Sequence, residues 1–320
     1  MLRDEMITVF GGSGFVGCHV VRALAKHGYR IRVATRRPHL AGDLKVAGVV
    51  GQIELVQANV RNRASVERAV AGAHGVVNLV GVLFESGRQK FYSLQAQGAK
   101  VIAQSAKAAG VQRLVHLSAI GANVDSKSRY ATSKAWGEAH VDEAFPGAVI
   151  LRPSIIFGQG DNFFNRFADL ARFAPALPLP GRGINKMQPV FAGDVAQAIT
   201  RAISDASTKG IYELGGPRTY TYRELMEFVL ETVDRKRFLV PVPMAGMNAL
   251  GLVGEMAGAL PFVEPFLTRD QVTMLRTHNI VAPSLRGIED LGVCPVTVEA
   301  IVPSYLGRYR RHGQFHERSA

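Results

Sequence analysis

Tyr130 and Lys134 stand one helical turn apart in a stretch, 128–145, that reads as helix, so both side chains project from one face. A phenol loses its proton only near pH ~10, and a lysine one turn away favours the phenolate while offering an ammonium to a ribose hydroxyl. Ser118, at the end of an apolar run, brings a third polar group. Nearer the start, Gly11, Gly12, Ser13, Gly14, Phe15, Val16 and Gly17 follow an apolar run and lead into the helical periodicity of Val20, Val21 and Leu24. In a strand, turn and helix of this kind, glycines allow a tight turn, close approach of a pyrophosphate and close packing of the helix on the sheet. The first helical amides then meet the phosphates.

An acidic residue at the end of the next strand would bind a ribose 2'-hydroxyl, but that place holds Arg36 and Arg37. Guanidinium groups fork onto phosphate, so NADPH is favoured over NADH, with two solvated arginines as the alternative. Strand ends complete the expected cofactor contacts: Asn59 and Val60 on the adenine side, Val80 and Gly81, Leu117 with Ser118, and Pro153 with Ile155.

The elements that must position these groups are legible as strand-like runs at 6–10, 31–35, 53–57, 75–80, 114–117 and 149–151, separated by helical stretches. That alternation predicts an α/β fold with a doubly wound parallel sheet (Rossmann) and a second, smaller C-terminal lobe. Gly28 closes the first helix, and Gly110 closes a long one beginning at about Gln89. The expected division is 1–160 as an NADP-binding domain, with its core resuming at about 188–216. Residues 161–187 and 217–306 form the smaller lobe, and 307–320 a basic tail. Phe163, Phe164, Phe167 and Phe173, interleaved with prolines, mark a lid or the start of that lobe.

The chain has 320 residues and a net charge of +12. So much positive charge implies a polyanionic neighbour, either lipid headgroups or an acidic protein; no nucleic-acid-binding motif is present. Cys18 and Cys294 lie far apart with no metal-like spacing, so reduced thiols and no metal are expected. The glycine strand begins too close to Met1 for a targeting peptide, which makes a bacterial cytoplasmic setting the simplest.

With these residues in view, the chain resembles the short-chain dehydrogenase/reductase superfamily, in its extended or atypical branch. Gly11, Gly14, Gly17, the Tyr130/Lys134 pair and the run Leu151-Arg152-Pro153-Ser154-Ile155-Ile156-Phe157-Gly158 carry the likeness. More narrowly it is similar to the family of NADPH-binding accessory subunits of respiratory complex I, NADH:ubiquinone oxidoreductase. That likeness rests on Ser128-Arg129-Tyr130, Ala144-Phe145-Pro146, Arg172-Phe173 before a proline, Gln188-Pro189-Val190, Thr268-Arg269-Asp270 and the segment 285–292.

The resemblance implies a nucleotide held as a structural ligand near the junction of the hydrophilic and membrane arms, with complex I subunits as partners and no established turnover. It further implies a peripheral place on the cytoplasmic face of the bacterial inner membrane, or the equivalent matrix side. Tyr130, Lys134 and Ser118 would then be vestigial. Active relatives carry a hydroxyl residue after the counterpart of Ser118, where this chain has Ala119. If Ala119 holds that position, a donor worth about 100- to 1,000-fold in rate is missing; a register shifted by one would leave Ser118 to serve.

The segment 244–260 has Glu255 as its single charge and is too short to span a bilayer, so it reads either as an element on a membrane surface or as a buried helix. The tail carries Arg308, Arg310, Arg311 and Arg318 with Tyr305 and Tyr309, suited to an anionic groove or to a solvated end. The competing functions are a free NADP-dependent reductase or epimerase, whose substrate pocket the aromatic lobe would form, and a redox-sensing binding module.

Overall fold

Runs rich in valine and isoleucine bounded by glycine and polar residues form the strands of a parallel sheet, whose two covered faces call for continuous apolar sequence. The computed structural model describes residues 2–258, 264–311 and 313. They fall into two units. The first takes Met1–Pro153, Ala192–Leu214 and Ala282–Cys294; the second takes Ser154–Phe191, Gly215–Val281 and Pro295–Ala320.

In the first unit the elements run β1 (Met6–Phe10), α1 (Phe15–Lys26), β2 (Arg30–Thr35), β3 (Ile53–Gln57), α2 (Arg63–Val70) and β4 (Gly75–Asn78). They continue with α3 (Gln97–Ala108), β5 (Arg113–Leu117), α4 (Arg129–Ala144), β6 (Val149–Pro153), α5 (Ala192–Ser204) and β7 (Gly210–Leu214). The seven strands lie in the order β7-β6-β5-β4-β1-β2-β3, every neighbouring pair parallel. The order reverses between β1 and β4, and a doubly wound sheet binds its ligand outside the strand ends at such a switch point. Val66, Val70, Ile102 and Ala103 pack beneath α2 and α3 in one buried core.

Residues 282–294, expected in the smaller lobe, belong to the first unit, where the Arg286 carbonyl accepts the Glu213 amide at 2.9 Å, and 154–160 belong to the second; the ends of β4 and of the helix before β5 also differ from the sequence reading. β4 stops at Asn78 instead of Val80, because the Asn78 side-chain carbonyl accepts the Val80 amide at 3.1 Å and turns the chain. The helix expected from Gln89 begins later, with a π-helical turn over Tyr92–Ala96 ahead of α3. Gln89 is instead paired with Ser86, and the Glu85 carboxylate accepts the Phe91 amide at 2.9 Å in the manner of a cap.

The second unit is built on three two-stranded pairs: Ala176–Pro180 with Phe238–Val242, Lys186–Met187 with Tyr220–Thr221, and Ile156–Phe157 with Val190–Phe191. Helices Phe164–Phe173, Tyr222–Thr232 and Val298–Leu306 close over a core containing Phe157, Phe164, Leu177, Leu225 and Val302. The aromatic run is thus largely packing material: Phe163 meets Phe164 and Phe167 edge to face, each pair at 5.2 Å.

Of the apolar stretch, Met244–Gly258 is helical and positions 259–260 lie outside the described residues. Met247 is buried while Leu252, Val253 and Met256 are exposed. Glu255 accepts the Arg269 amide at 2.9 Å and its Nε at 2.8 Å. Among the described residues no helix is long and apolar enough to cross a membrane. In the basic tail, Gly307–Tyr309 forms a 3-10 turn, and Arg318 lies outside the described residues.

Candidate functional site

The glycine turn leaves β1 with Gly11 at φ 77°, a left-handed conformation that side chains disfavour. The Gly14 amide donates to the Gly11 carbonyl at 3.0 Å. A Cβ on Gly17 would stand 2.3 Å from that same oxygen, so only glycine lets α1 start this close to the turn. Gly14 is the N-cap of α1, no side chain caps it, and the first turn carries no acid. The positive end of the helix is therefore left to an outside anion, which fits a pyrophosphate. Gly12 packs against Val9 and Val33 of β1 and β2, and a Cβ on Gly11 would stand 3.3 Å from the Val80 amide, so turn and β4 end adjoin.

Around that turn Ser13 and Thr35 share a hydroxyl hydrogen bond of 3.0 Å. Arg36 and Arg37 follow β2 and are exposed. Arg36 Nη1 donates to Gln89 at 3.0 Å, which orients its guanidinium from a loop that the sequence did not connect to it. Asn59 makes a local turn, its side-chain oxygen accepting the Arg61 amide at 3.1 Å. Val60 is buried in the core against α3.

Lys134 is buried on α4, and its ammonium donates to the Leu117 carbonyl at 3.0 Å. Burial lowers its pKa to about 8, with the Glu138 charge acting the other way. The ammonium stands 6.0 Å from the centre of the Tyr130 ring, and a Cβ on Gly81 would be 3.4 Å from it. Tyr130 is half-buried and meets Phe91 edge to face at 5.8 Å. Tyr130, Lys134, Gly81 and Leu117 are thus brought together, and a phenol beside a buried ammonium can exchange a proton with a ligand.

Ser118 is oriented differently. Its buried hydroxyl donates to the Glu138 carboxylate, which also receives Arg152 Nε at 2.9 Å and Nη2 at 2.6 Å. Arg152 reaches on to Glu213 at 3.9 Å. The carboxylate and guanidinium hold the serine hydroxyl in a buried network, and the next side chain, Ala119, has no hydroxyl to offer. Pro153 accepts the Ile120 amide at 3.0 Å, whereas Ile155 belongs to the second unit, where its carbonyl accepts the Val190 amide at 2.9 Å.

Several residues here escaped the sequence reading. Glu138 lies one turn beyond Lys134 on α4, a spacing that could have singled it out. His116 is another: it is joined at 3.0 Å to Asn78, which the sequence already placed at the cofactor end of the fourth strand, and burial with the Lys134 charge lowers the His116 pKa to about 3. Gln95, on the π turn, donates to the Val82 carbonyl at 2.7 Å and accepts Ser133 at 2.8 Å. No sequence pattern foretold a π turn. Among the described residues no cluster of His, Cys, Asp or Glu could hold a metal ion.

Comparison with known proteins bears on the family and the fold. Residues 7–215 match the model of the NAD dependent epimerase/dehydratase family. The mouse protein named NADH dehydrogenase [ubiquinone] 1 alpha subcomplex subunit 9, mitochondrial, is 33% identical over 95% of this chain and 80% of its own. A ceramide reductase of Caulobacter vibrioides is 31% identical over 77% of this chain and 76% of its own. The Escherichia coli quinone oxidoreductase QOR2, solved with NADPH, superposes with a TM-score of 0.72 over 94% of this chain and 99% of that one, at 21% identity, a likeness of fold. By the matched region, and by an identity that runs almost from end to end, the chain belongs to the NAD dependent epimerase/dehydratase family, and within it to the branch of alpha subcomplex subunit 9 of NADH dehydrogenase [ubiquinone].

Proposed function

We propose that this chain is an accessory subunit of a membrane-bound NADH:ubiquinone oxidoreductase, and that it keeps NADPH as a fixed ligand which stabilises the junction of the hydrophilic and membrane arms. The observation that carries this reading is the identity to the mouse subunit over 95% of the chain. In it, the turn Gly11–Gly17 and the start of α1 hold the pyrophosphate, Arg36 and Arg37 the 2'-phosphate, and Lys134 with Tyr130 the nicotinamide ribose. When bound, the nucleotide would supply hydride chemistry. With Ser118 committed to Glu138 and Ala119 beside it, no serine donor is turned toward a substrate carbonyl, and the nucleotide is retained unreacted. The protein sits peripherally, on the cytoplasmic face of a bacterial inner membrane or the equivalent matrix side.

Gentle detergent extraction followed by native electrophoresis and mass spectrometry tests this: the chain should migrate with a large NADH-oxidising complex and release NADPH. Recovery as a separate species lacking nucleotide would overturn it. Arg36→Ala with Arg37→Ala should lower the preference for NADPH over NADH by about ten- to a hundredfold, the worth of a charged hydrogen-bond pair to the phosphate.

The second reading is a free NADP-dependent reductase or epimerase. It is favoured by the Tyr130/Lys134 geometry and by the similarity to the Caulobacter reductase. A purified protein that oxidises NADPH with a carbonyl substrate, and loses that activity on Tyr130→Phe, would establish it.

A further inference from the structure

In the second unit, arginines from three separate segments gather where two helices end. Arg172 lies in the last turn of Phe164–Phe173, Arg235 and Arg237 follow the helix Tyr222–Thr232, and Arg310 and Arg311 follow the turn Gly307–Tyr309. Their positions are built. Arg237 Nε donates to the Ala171 carbonyl at 2.9 Å, Arg310 Nε to that of Thr232 at 3.1 Å, and Arg235 Nε to that of Tyr309 at 3.1 Å. Two of these carbonyls are at helix C-termini, whose negative dipole ends attract cations and whose last carbonyls need donors.

That attraction accounts for part of the gathering and leaves a surplus. A helix C-terminus is equivalent to about half a negative charge. Arg172 is paired with Asp169 at 3.0 Å, but among the described residues Arg235, Arg237 and Arg311 make no ion pair with a carboxylate. Glu231 and Asp234 are the acids nearest in sequence, at the same helix end. Partial burial, and then the charges of Arg237, Arg172 and Arg311, push the Arg235 guanidinium below the usual arginine range. With each Nε tied to a carbonyl, Arg235 keeps both terminal guanidinium nitrogens for an outside acceptor, and Arg237, whose Nη1 donates to the Lys236 carbonyl at 3.1 Å, keeps its Nη2; guanidinium nitrogens of this kind match a phosphate.

Large apolar side chains flank the cluster. Phe173 is 76% exposed with the Arg172 guanidinium 5.0 Å above its ring, and Phe238, next to Arg237, is 77% exposed. Val240, two residues along the same strand, is 44% exposed. Cations held among exposed aromatic and aliphatic groups suit a surface whose charge is phosphate and whose interior is hydrocarbon.

We propose that Arg172, Arg235, Arg237 and Arg311 form a binding site for the phosphate of anionic phospholipid headgroups, with Phe173 and Phe238 entering the interface beside them. It deepens the reading of a peripheral subunit by naming the lipid class and the residues, and it requires neither bound nucleotide nor assembly with other subunits.

The test is flotation of the purified full chain with phosphatidylcholine vesicles, and with the same vesicles containing about 30% phosphatidylglycerol, at moderate salt where exposed charges still act. Selective flotation with the anionic vesicles is expected. Arg172→Gln with Arg311→Gln, neither of which is tied to a helix-end carbonyl, should reduce it about tenfold or more, while the two lysine replacements retain most of it. Arg235→Gln with Arg237→Gln should act likewise, with thermal unfolding recorded to check that the fold persists. Arg36→Ala with Arg37→Ala should float as the parent does, which separates a failure of the nucleotide reading from a failure of this one. Equal flotation with both vesicles, or full flotation of the folded glutamine variants, would overturn the proposal. So would tight protection by inorganic phosphate without vesicle binding, which marks a site for a free anion.

Discussion

The two ends of the candidate nucleotide site differ in what they leave available. At the phosphate end, α1 starts without a capping side chain, its first turn has no acid, and Arg36 and Arg37 stand exposed. At the chemical end, Tyr130 apart, the polar side chains bond to the protein itself. Ser118 is held by Glu138, Glu138 by Arg152, and Lys134 by the Leu117 carbonyl. A fold of this type can keep the electrostatics that grip a dinucleotide while the hydroxyl that would polarise a substrate becomes part of the core. Binding at one end and reaction at the other are therefore separable, because they depend on different residues at different strand ends.

The contrast breaks most sharply at Glu138. Glu138→Leu takes from the largely buried Arg152 its hydrogen-bonded carboxylate, leaving only Glu213 at 3.9 Å, and should cost about 3 kcal/mol in urea denaturation, whereas Ser118→Ala should cost about 1 kcal/mol. If Glu138→Leu cost no more than the serine change, the closed network would be incidental. At the opposite end, Gly17→Ala forces a Cβ to within 2.3 Å of the Gly11 carbonyl. Nucleotide retention, followed by calorimetry or by mass analysis of released nucleotide, should fall about a hundredfold, since overpacking of about 1 to 3 kcal/mol lands on the turn proposed to cradle the phosphates.

The buried floor of the chemical end supplies a pH test. His116 titrates at about 3 in the folded protein against 6.5 for an ordinary histidine, so on acidification the unfolded chain takes the proton first. Stability should drop by about 1.4 kcal/mol per pH unit as the pH falls from 6.5 toward 3, and His116→Gln should flatten that slope in denaturation curves taken across the window. The smallest effect belongs to Tyr130→Phe. Nucleotide retention should change by less than about threefold, under the ~1 kcal/mol of one hydrogen bond; a large loss would show that the phenol contributes more than a single hydrogen bond to the ligand.

How far these features are legible in sequence depends on how local their causes are. The glycine turn, the Tyr130/Lys134 spacing and the parallel sheet are written in short patterns, because strand and helix periodicity and the need for glycine at a tight turn are properties of neighbouring residues. The Gln89 contact to Arg36 joins groups far apart along the chain, and the late, π-helical start of the helix before α3 depends on Glu85 reaching the Phe91 amide. The stretch 244–260 shows the same limit: its single carboxylate, Glu255, accepts the amide and Nε of Arg269 at the start of the following helix, a partner 14 residues away.

What the chain alone determined is the kind of fold: a doubly wound sheet of a nicotinamide-nucleotide family, with a glycine turn after β1 and arginines at the end of β2. Only the tertiary structure decided which way Ser118 faces, and with it whether a donor is offered beside Ala119. The physical reason is that a serine hydroxyl rotates to the strongest acceptor within reach. That acceptor, Glu138, is placed by the packing of α4 against β5 and β6 and oriented by the hydrogen bonds from Arg152.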